Sequence, residues 1–207
     1  MHRTLLGSTA LVMAALAAGL AGCASTQVDA QWRNVELPPN YLRGATVLVS
    51  CETAEIVLKQ VCEDRVVADL LTRGVRPMLP APGTVAAQQP GGATDVKYLP
   101  AARSGGAKAV FTVTLGPSTQ SVSPGFSLGL GLGGFGRNIG GGVGVSAPIG
   151  GGQVTQGYAA NGRVTDVASG RLMWTARANA PPSSDINAQL ADLSKSVVDA
   201  AAGAGLF

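Results

Sequence analysis

The stretch ATVLVSCETAEIVLKQVCEDRVVADLLTRGVRPML, residues 45–79, decides the fold. Ala45 to Ser50 is apolar and β-branched, the composition of a buried strand. Val66, Val67, Leu70 and Leu71 lie on one helical stripe. Arg73 falls in the last turn and Gly74 just past it, as the helix dipole and the C-terminal cap prefer. Extending the stripe upstream meets Glu63 and Lys59, so the reading starts the main helix near Gln60, with Glu63 and Asp64 in its first turn. Val75 to Leu79 then forms a second strand. A strand, a helix and a strand in this order make one layer of sheet covered by a helix.

Cys51 and Cys62 sit inside this unit. A straight helix through both would separate them by about 15 Å, whereas a disulfide needs Cα atoms within about 7 Å. A bond between them therefore requires residues 52–60 to fold back. The expected bond closes a short loop, worth about 3 kcal/mol in the chain-entropy view. The spacing is not Cys-x-x-Cys and no imidazole accompanies it, so neither a redox nor a metal role is expected.

Working outward, Lys108 to Leu115 reads as a third strand. Val154–Val167 and Arg171–Ala178 read as two more, joined by the turn Ala168-Ser169-Gly170. Thr94 to Arg103 reads as a short helix limited by Pro100. Ser184 is a candidate N-cap for a last helix carrying Ile186, Leu190, Leu193, Val197 and Val198. The expected class is α+β, a mixed sheet with helices on one face, in the order β-α-β-α-β-(Gly-rich hairpin)-β-β-α. Residues 44–207 form one domain, and 23–43, broken by Pro38-Pro39, form an irregular tether.

The start of the chain is an address. Arg3 is followed by an apolar run from Leu5 to Gly19, too short for a permanent span. Leu20-Ala21-Gly22-Cys23 resembles the lipobox of bacterial lipoproteins. The resemblance implies that residues 1–22 are a signal peptide, that Cys23 carries diacylglyceryl and acyl chains, and that Ala24 at the second mature position directs the protein to the outer membrane, on its periplasmic face. Several acyl chains anchor stably where one would be marginal.

Composition narrows the function. The 207 residues are 46% hydrophobic, 13% charged and 4% aromatic, with 29 Gly, 3 Cys and 1 His. That His is His2, so the mature chain has no imidazole to activate a Ser or Cys nucleophile or to bind a metal. Loss of Arg3 leaves 14 basic against 12 acidic side chains, too small an excess for a nucleic-acid partner. Glu63-Asp64, the only adjacent acidic pair, does not face one substrate from a helix. Ser104 and Lys108 miss the Ser-x-x-Lys spacing. The expectation is no catalysis and no cofactor. The expected partners are the membrane through the lipid, and other envelope proteins or further copies of the chain.

Residues 125–152 hold 13 Gly in 28 positions. Ser127-Leu-Gly-Leu-Gly-Leu-Gly133 and Gly142-Val-Gly-Val-Ser146 alternate strictly. Pairing them about Arg137-Asn138 sets Leu132 opposite Val143 and Leu130 opposite Val145, with Gly133 opposite Gly142 on the other face. The hairpin either folds onto the domain or stays mobile, or else it packs between subunits or, as about 10 residues per arm allow, supplies membrane strands over 126–149. An open hairpin crosses lipid only by closing a barrel with other subunits. The match of Gly131 to Gly136 with G-x-G-x-x-G follows no strand and opens no helix, so it is not read as a dinucleotide loop.

Three segments carry a further resemblance: Ala45–Ser50, Cys62-Glu-Asp-Arg65 through Leu71-Thr-Arg-Gly-Val-Arg-Pro77, and Asp166-Val-Ala-Ser-Gly-Arg-Leu-Met-Trp174. With the lipobox, they resemble small Gram-negative envelope lipoproteins of unknown function. The implied domain is similar to the amino-terminal domain of TolB, to the penicillin-binding-protein activator LpoB and to the curli secretion lipoprotein CsgG. Turn and packing chemistry gives Asp166, Gly170 and Trp174 structural roles: binding turn amides, supplying a positive φ, and packing on the sheet.

Overall fold

A computed structural model describes residues 25–83, 85, 93–118 and 156–207. Cys23 with its preceding signal segment, and the Gly-rich hairpin, lie outside the described residues. The elements are β1 (Gln27–Arg33), β2 (Thr46–Glu52), α1 (Ile56–Thr72), β3 (Arg76–Met78), a 3₁₀ turn (Val96–Tyr98) that runs into α2 (Leu99–Ser104), β4 (Ala109–Pro117), β5 (Tyr158–Asp166), β6 (Leu172–Asn179) and α3 (Ile186–Gly203). They build one mixed sheet in the order β1-β6-β5-β4-β2-β3. β2 runs parallel to β3 and β4, and the β4–β5, β5–β6 and β6–β1 pairs are antiparallel.

Alternation along the strands divides the side chains between two faces. Val47, Val49 and Cys51 of β2, with Ala109, Phe111 and Val113 of β4, enter the larger core under α1 and α3. Leu48 and Val110 point the other way and meet Tyr98, Leu99 and Ala102. The class is therefore the α+β mixed sheet expected, but the short helix covers the face opposite the two long ones. Helix α1 buries Leu58, Cys62, Val66 and Leu70, each four residues from the next, one stripe of a 3.6-residue period. It ends as the sequence indicates. Gly74 takes φ +75°, its amide donates to Leu71 and the Val75 amide reaches back to Leu70, the pair of bonds that closes a Schellman cap.

Three local expectations change. Residues 27–33 are a strand, not tether: Val28, Ala30 and Trp32 alternate with polar neighbours, a period-2 pattern, and the strand pairs with β6 across a bulge between Val28 and Ala30. All seven residues are exposed, so apolar content gave no signal and ladder hydrogen bonds carry the strand. Helix α1 begins at Ile56, about one turn before Gln60, for the reason given below. The cap of α3 is Asp185, whose carboxylate accepts the Ala188 amide at 2.9 Å; Ser184 stands one residue outside it.

Trp174 is fully buried, its ring centroid 6.1 Å from that of Phe111. Its place depends on Gly162 of β5, two positions along the strand from its register partner Val164. A Cβ built there would stand 2.4 Å from Val197 Cγ1 and 3.2 Å from the indole. Gly162→Ala is therefore expected to lower stability by about 1–3 kcal/mol, the usual penalty of overpacking. Gly116, with no atom within 4 Å of such a Cβ, should tolerate alanine with neutral or slightly raised stability. Urea unfolding of the two variants checks the contrast.

Candidate functional site

Polar side chains gather at three places. The first is the carboxyl end of β2. β3 pairs only with Thr46, Val47 and Leu48, so among the described residues the edge of β2 beyond Leu48 has no strand beside it. Glu63 fills the gap. Its carboxylate accepts the Cys51 amide at 3.1 Å, with the Ser50 hydroxyl at 3.5 Å, and Lys59 Nζ lies 3.8 Å away. Glu63 is buried. This explains the longer helix: an acid on the inner stripe looks like a boundary from sequence, yet here it serves as a strand's missing acceptor. It sits in mid-helix, not in the first turn. One residue earlier, Cys62 is bonded to Cys51, with Cα atoms 6.1 Å apart. The fold-back that the bond requires occupies only residues 53–55. The chain reverses there, so a helix starting at Ile56 runs back along β2 and brings Cys62 under Cys51.

The second cluster lies on the α2 face. Glu52 accepts the Tyr98 hydroxyl and pairs with Lys97 at 2.9 Å. Burial, then the bond to Glu52, pushes the Tyr98 phenol well above its ordinary value, against a smaller opposing pull from Ser50. Asp95, 2% exposed, receives Arg163 Nε at 3.0 Å and the Thr165 hydroxyl. Each acid has its own cation, which is how a buried carboxylate is tolerated. The cluster fixes the 3₁₀ turn to the sheet.

The third cluster is at the opposite end of the sheet, around the β5–β6 turn. Asp166 Oδ2 accepts the Ser169 amide and hydroxyl, both at 2.7 Å, and Oδ1 accepts the Tyr41 hydroxyl at 2.5 Å. Gly170 supplies φ +68°. Lys108 Nζ donates to the Tyr41 carbonyl at 2.7 Å and lies 4.2 Å from the Tyr41 ring centroid. Burial by itself would raise the Asp166 pKa. The bonds from Tyr41 and Ser169 and the Lys108 charge outweigh it and hold the carboxyl below its ordinary value. Tyr41 moves the other way, pushed up by burial and then by Asp166. The structure thus brings Asp166 and Gly170 together as a turn and sends Trp174 into the core. Tyr41 carries no signal in the sequence, and Lys108 stands out there only by its spacing from Ser104. Tyr41 stands 125 positions from Asp166, and no local pattern links them.

A groove of about 650 Å³ runs between Ser25, the Pro181-Pro182 loop and α3. Its buried polar residue, Gln189, donates through Nε2 to the carbonyls of Pro181 and Gln156. That amide pins α3 to the point where the chain returns from the Gly-rich segment. Among the described residues no group of three His, Cys, Asp or Glu is placed to hold a metal ion.

No protein-family profile matches this sequence, and no curated protein matches it. Among solved structures it is similar to the PelC dodecamer from Paraburkholderia phytofirmans, at 16% identity and a TM-score of 0.49, over 84% of this chain and 94% of that one. A single-substitution variant of the same dodecamer in another crystal form gives 15% identity and a TM-score of 0.47, over 83% and 94%. No function is transferred from likeness at this level.

Two outcomes follow. Reducing the disulfide, or replacing both cysteines with alanine, should cost about 3 kcal/mol, seen as a lower urea midpoint than in the oxidised protein. Asp166→Asn should cost about 1 kcal/mol, since the carboxylate is half-buried and in part screened by solvent. A depressed folded-state pKa stabilises above the unfolded value of about 3.9 and is lost as pH falls through the folded one. The gap between the native protein and Asp166→Asn should be full near neutral pH and close below about pH 4, measured by unfolding across that range.

Proposed function

We propose that the chain is a non-catalytic lipoprotein of the outer membrane, held on its periplasmic face by lipid on Cys23, and that its domain is an accessory or scaffolding module of an envelope complex. The observation that carries this reading is β1. It begins four residues after the lipobox cysteine, its outer edge has no strand neighbour among the described residues, and Val28 and Trp32 are 41% and 49% exposed on it. A free edge with apolar side chains is a surface for strand addition by a protein partner. The three polar clusters support the same reading, because their acids are engaged in holding the fold.

A second reading is an oligomeric channel or secretion subunit. The strict Leu-Gly and Val-Gly alternation within 126–149 favours it, since one apolar and one bare face suit a barrel wall shared between copies. No described helix is long and apolar enough to cross a membrane.

Cys23→Ser is expected to move the protein from the membrane fraction to the soluble one; unchanged fractionation and mobility would remove the anchor from the proposal. The molar mass of the lipidated protein in mild detergent, corrected for the micelle, separates the two readings. One or two chains fits the accessory module, and a ring-sized mass fits the channel.

A further inference from the structure

The register of the sheet aligns four chain positions at one end. Gln27 of β1 lies opposite Asn179 of β6, Asn179 opposite Ala159 of β5, and Tyr158 opposite Pro117 of β4. The first strand leaves Cys23 from this end. The chain enters the segment 119–155 and returns from it at the same end, where the Ser118 amide donates to the Gly157 carbonyl at 2.8 Å and Gln156 bridges to Ser183. Residues 25–28, 116–118, 156–160 and 178–184, which build this end on β4, β5, β6 and β1, include no charged side chain. The other end is rich in cations: Arg33, Arg43, Arg76, Arg103, Lys108 and Arg171 are all exposed there. Of these, Arg33, Arg76 and Arg103 donate to the backbone carbonyls of Leu37, Gly44 and Val167, bonds that hold the side chains without neutralising them, while Arg171 pairs with Glu36 and the Lys108 charge acts on Asp166.

We propose that the end marked by Gln27, Pro117, Tyr158 and Asn179 rests on the lipid surface, with the strands standing away from it and the arginine-rich end directed outward. This rests on the lipid-anchor reading of Cys23. Two effects compete for the orientation. Anionic headgroups attract basic residues by about 1 kcal/mol each when these lie at the surface, which favours the arginine end. The tether opposes it. Four residues from Cys23 to Gln27 reach at most about 14 Å, while β1 carries the chain about 20 Å further to Arg33. The tether is thus too short for the domain to invert and set Arg33 on the lipid in place of Gln27, and in the upright domain the arginine end lies beyond the Debye length of about 8 Å within which headgroup attraction acts. The tether wins. Both roots of the alternating segment then meet the lipid side, and the free edge of β1 stands upright, open to a partner along its length.

The experiment uses full-length, lipidated protein in vesicles of phosphatidylethanolamine and phosphatidylglycerol doped with a headgroup-nitroxide lipid. A fluorophore goes on Ser184→Cys at the proposed lipid end or on Ala168→Cys at the far turn; both positions are exposed, and the native thiols are bonded or acylated. Asn187→Cys, in the exposed first turn of α3, replaces Ser184→Cys should that variant misfold. Quenching several-fold stronger at 184 than at 168 is expected. Equal quenching, or stronger quenching at 168, in vesicle-bound protein overturns the orientation and leaves the anchor standing. Lipidated protein that does not bind the vesicles overturns the anchor reading and the orientation with it.

Discussion

Everything in the larger core depends on how α1 is seated on β2, and two adjacent residues of the helix set that seat. Cys62 is tied covalently to Cys51, and Glu63 takes the amide of the same Cys51. A carboxylate inside a protein is costly unless its bonds are made, so Glu63 tolerates little sliding of the helix along the strand. With α1 fixed, α3 packs beside it, and Arg73 at the end of α1 reaches Asp199 on α3. Val197 of α3 comes down over Gly162, and Trp174 fills the space left. Apolar burial supplies most of the driving force, but it is indifferent to small shifts. The pair at Cys51 supplies the position.

The strand–helix–strand unit at 45–79 was readable because each part follows a strong local rule: a β-branched run, an apolar stripe, and a glycine where the helix must stop. The start of α1 was not readable. Its deciding residue, Glu63, behaves by the logic of tertiary structure, accepting a bond from a strand edge that exists only because β3 is short. The bond between Cys51 and Cys62 and the fold-back that it requires were readable from their spacing; only the length of the reversal differs, residues 53–55 in place of 52–60. β1 shows the opposite failure. Its alternation of Val28, Ala30 and Trp32 was visible, but a fully exposed strand lacks the apolar density that makes alternation persuasive. The side of the sheet that α2 would cover depends on where Leu48 and Val110 point, which follows from register and not from the helix's own sequence.

At the polar clusters the division is between local and distant partners. Asp166, Ser169 and Gly170 lie within five positions, so their turn chemistry is written in order along the chain. Tyr41 with Asp166, Glu52 with Tyr98, and Asp95 with Arg163 join residues 46 to 125 positions apart. Nothing in a single sequence marks one member of such a pair as waiting for the other. Each of these acids is engaged by a hydroxyl, a cation or a backbone amide.

The place of β1 also has a mechanical meaning. A pull transmitted through residues 23–26 acts on the strand at its first residue and along its own axis. The hydrogen bonds between β1 and β6 run across that axis, so the load falls on the whole ladder in shear and does not open it one rung at a time. The bulge at Val28 and Ala30 sits nearest the point of pulling, leaving Ala30 to Arg33 as the continuous grip. A strand with no buried side chain is thus a serviceable fastening: weak against peeling from its free edge, firm against tension along its own axis.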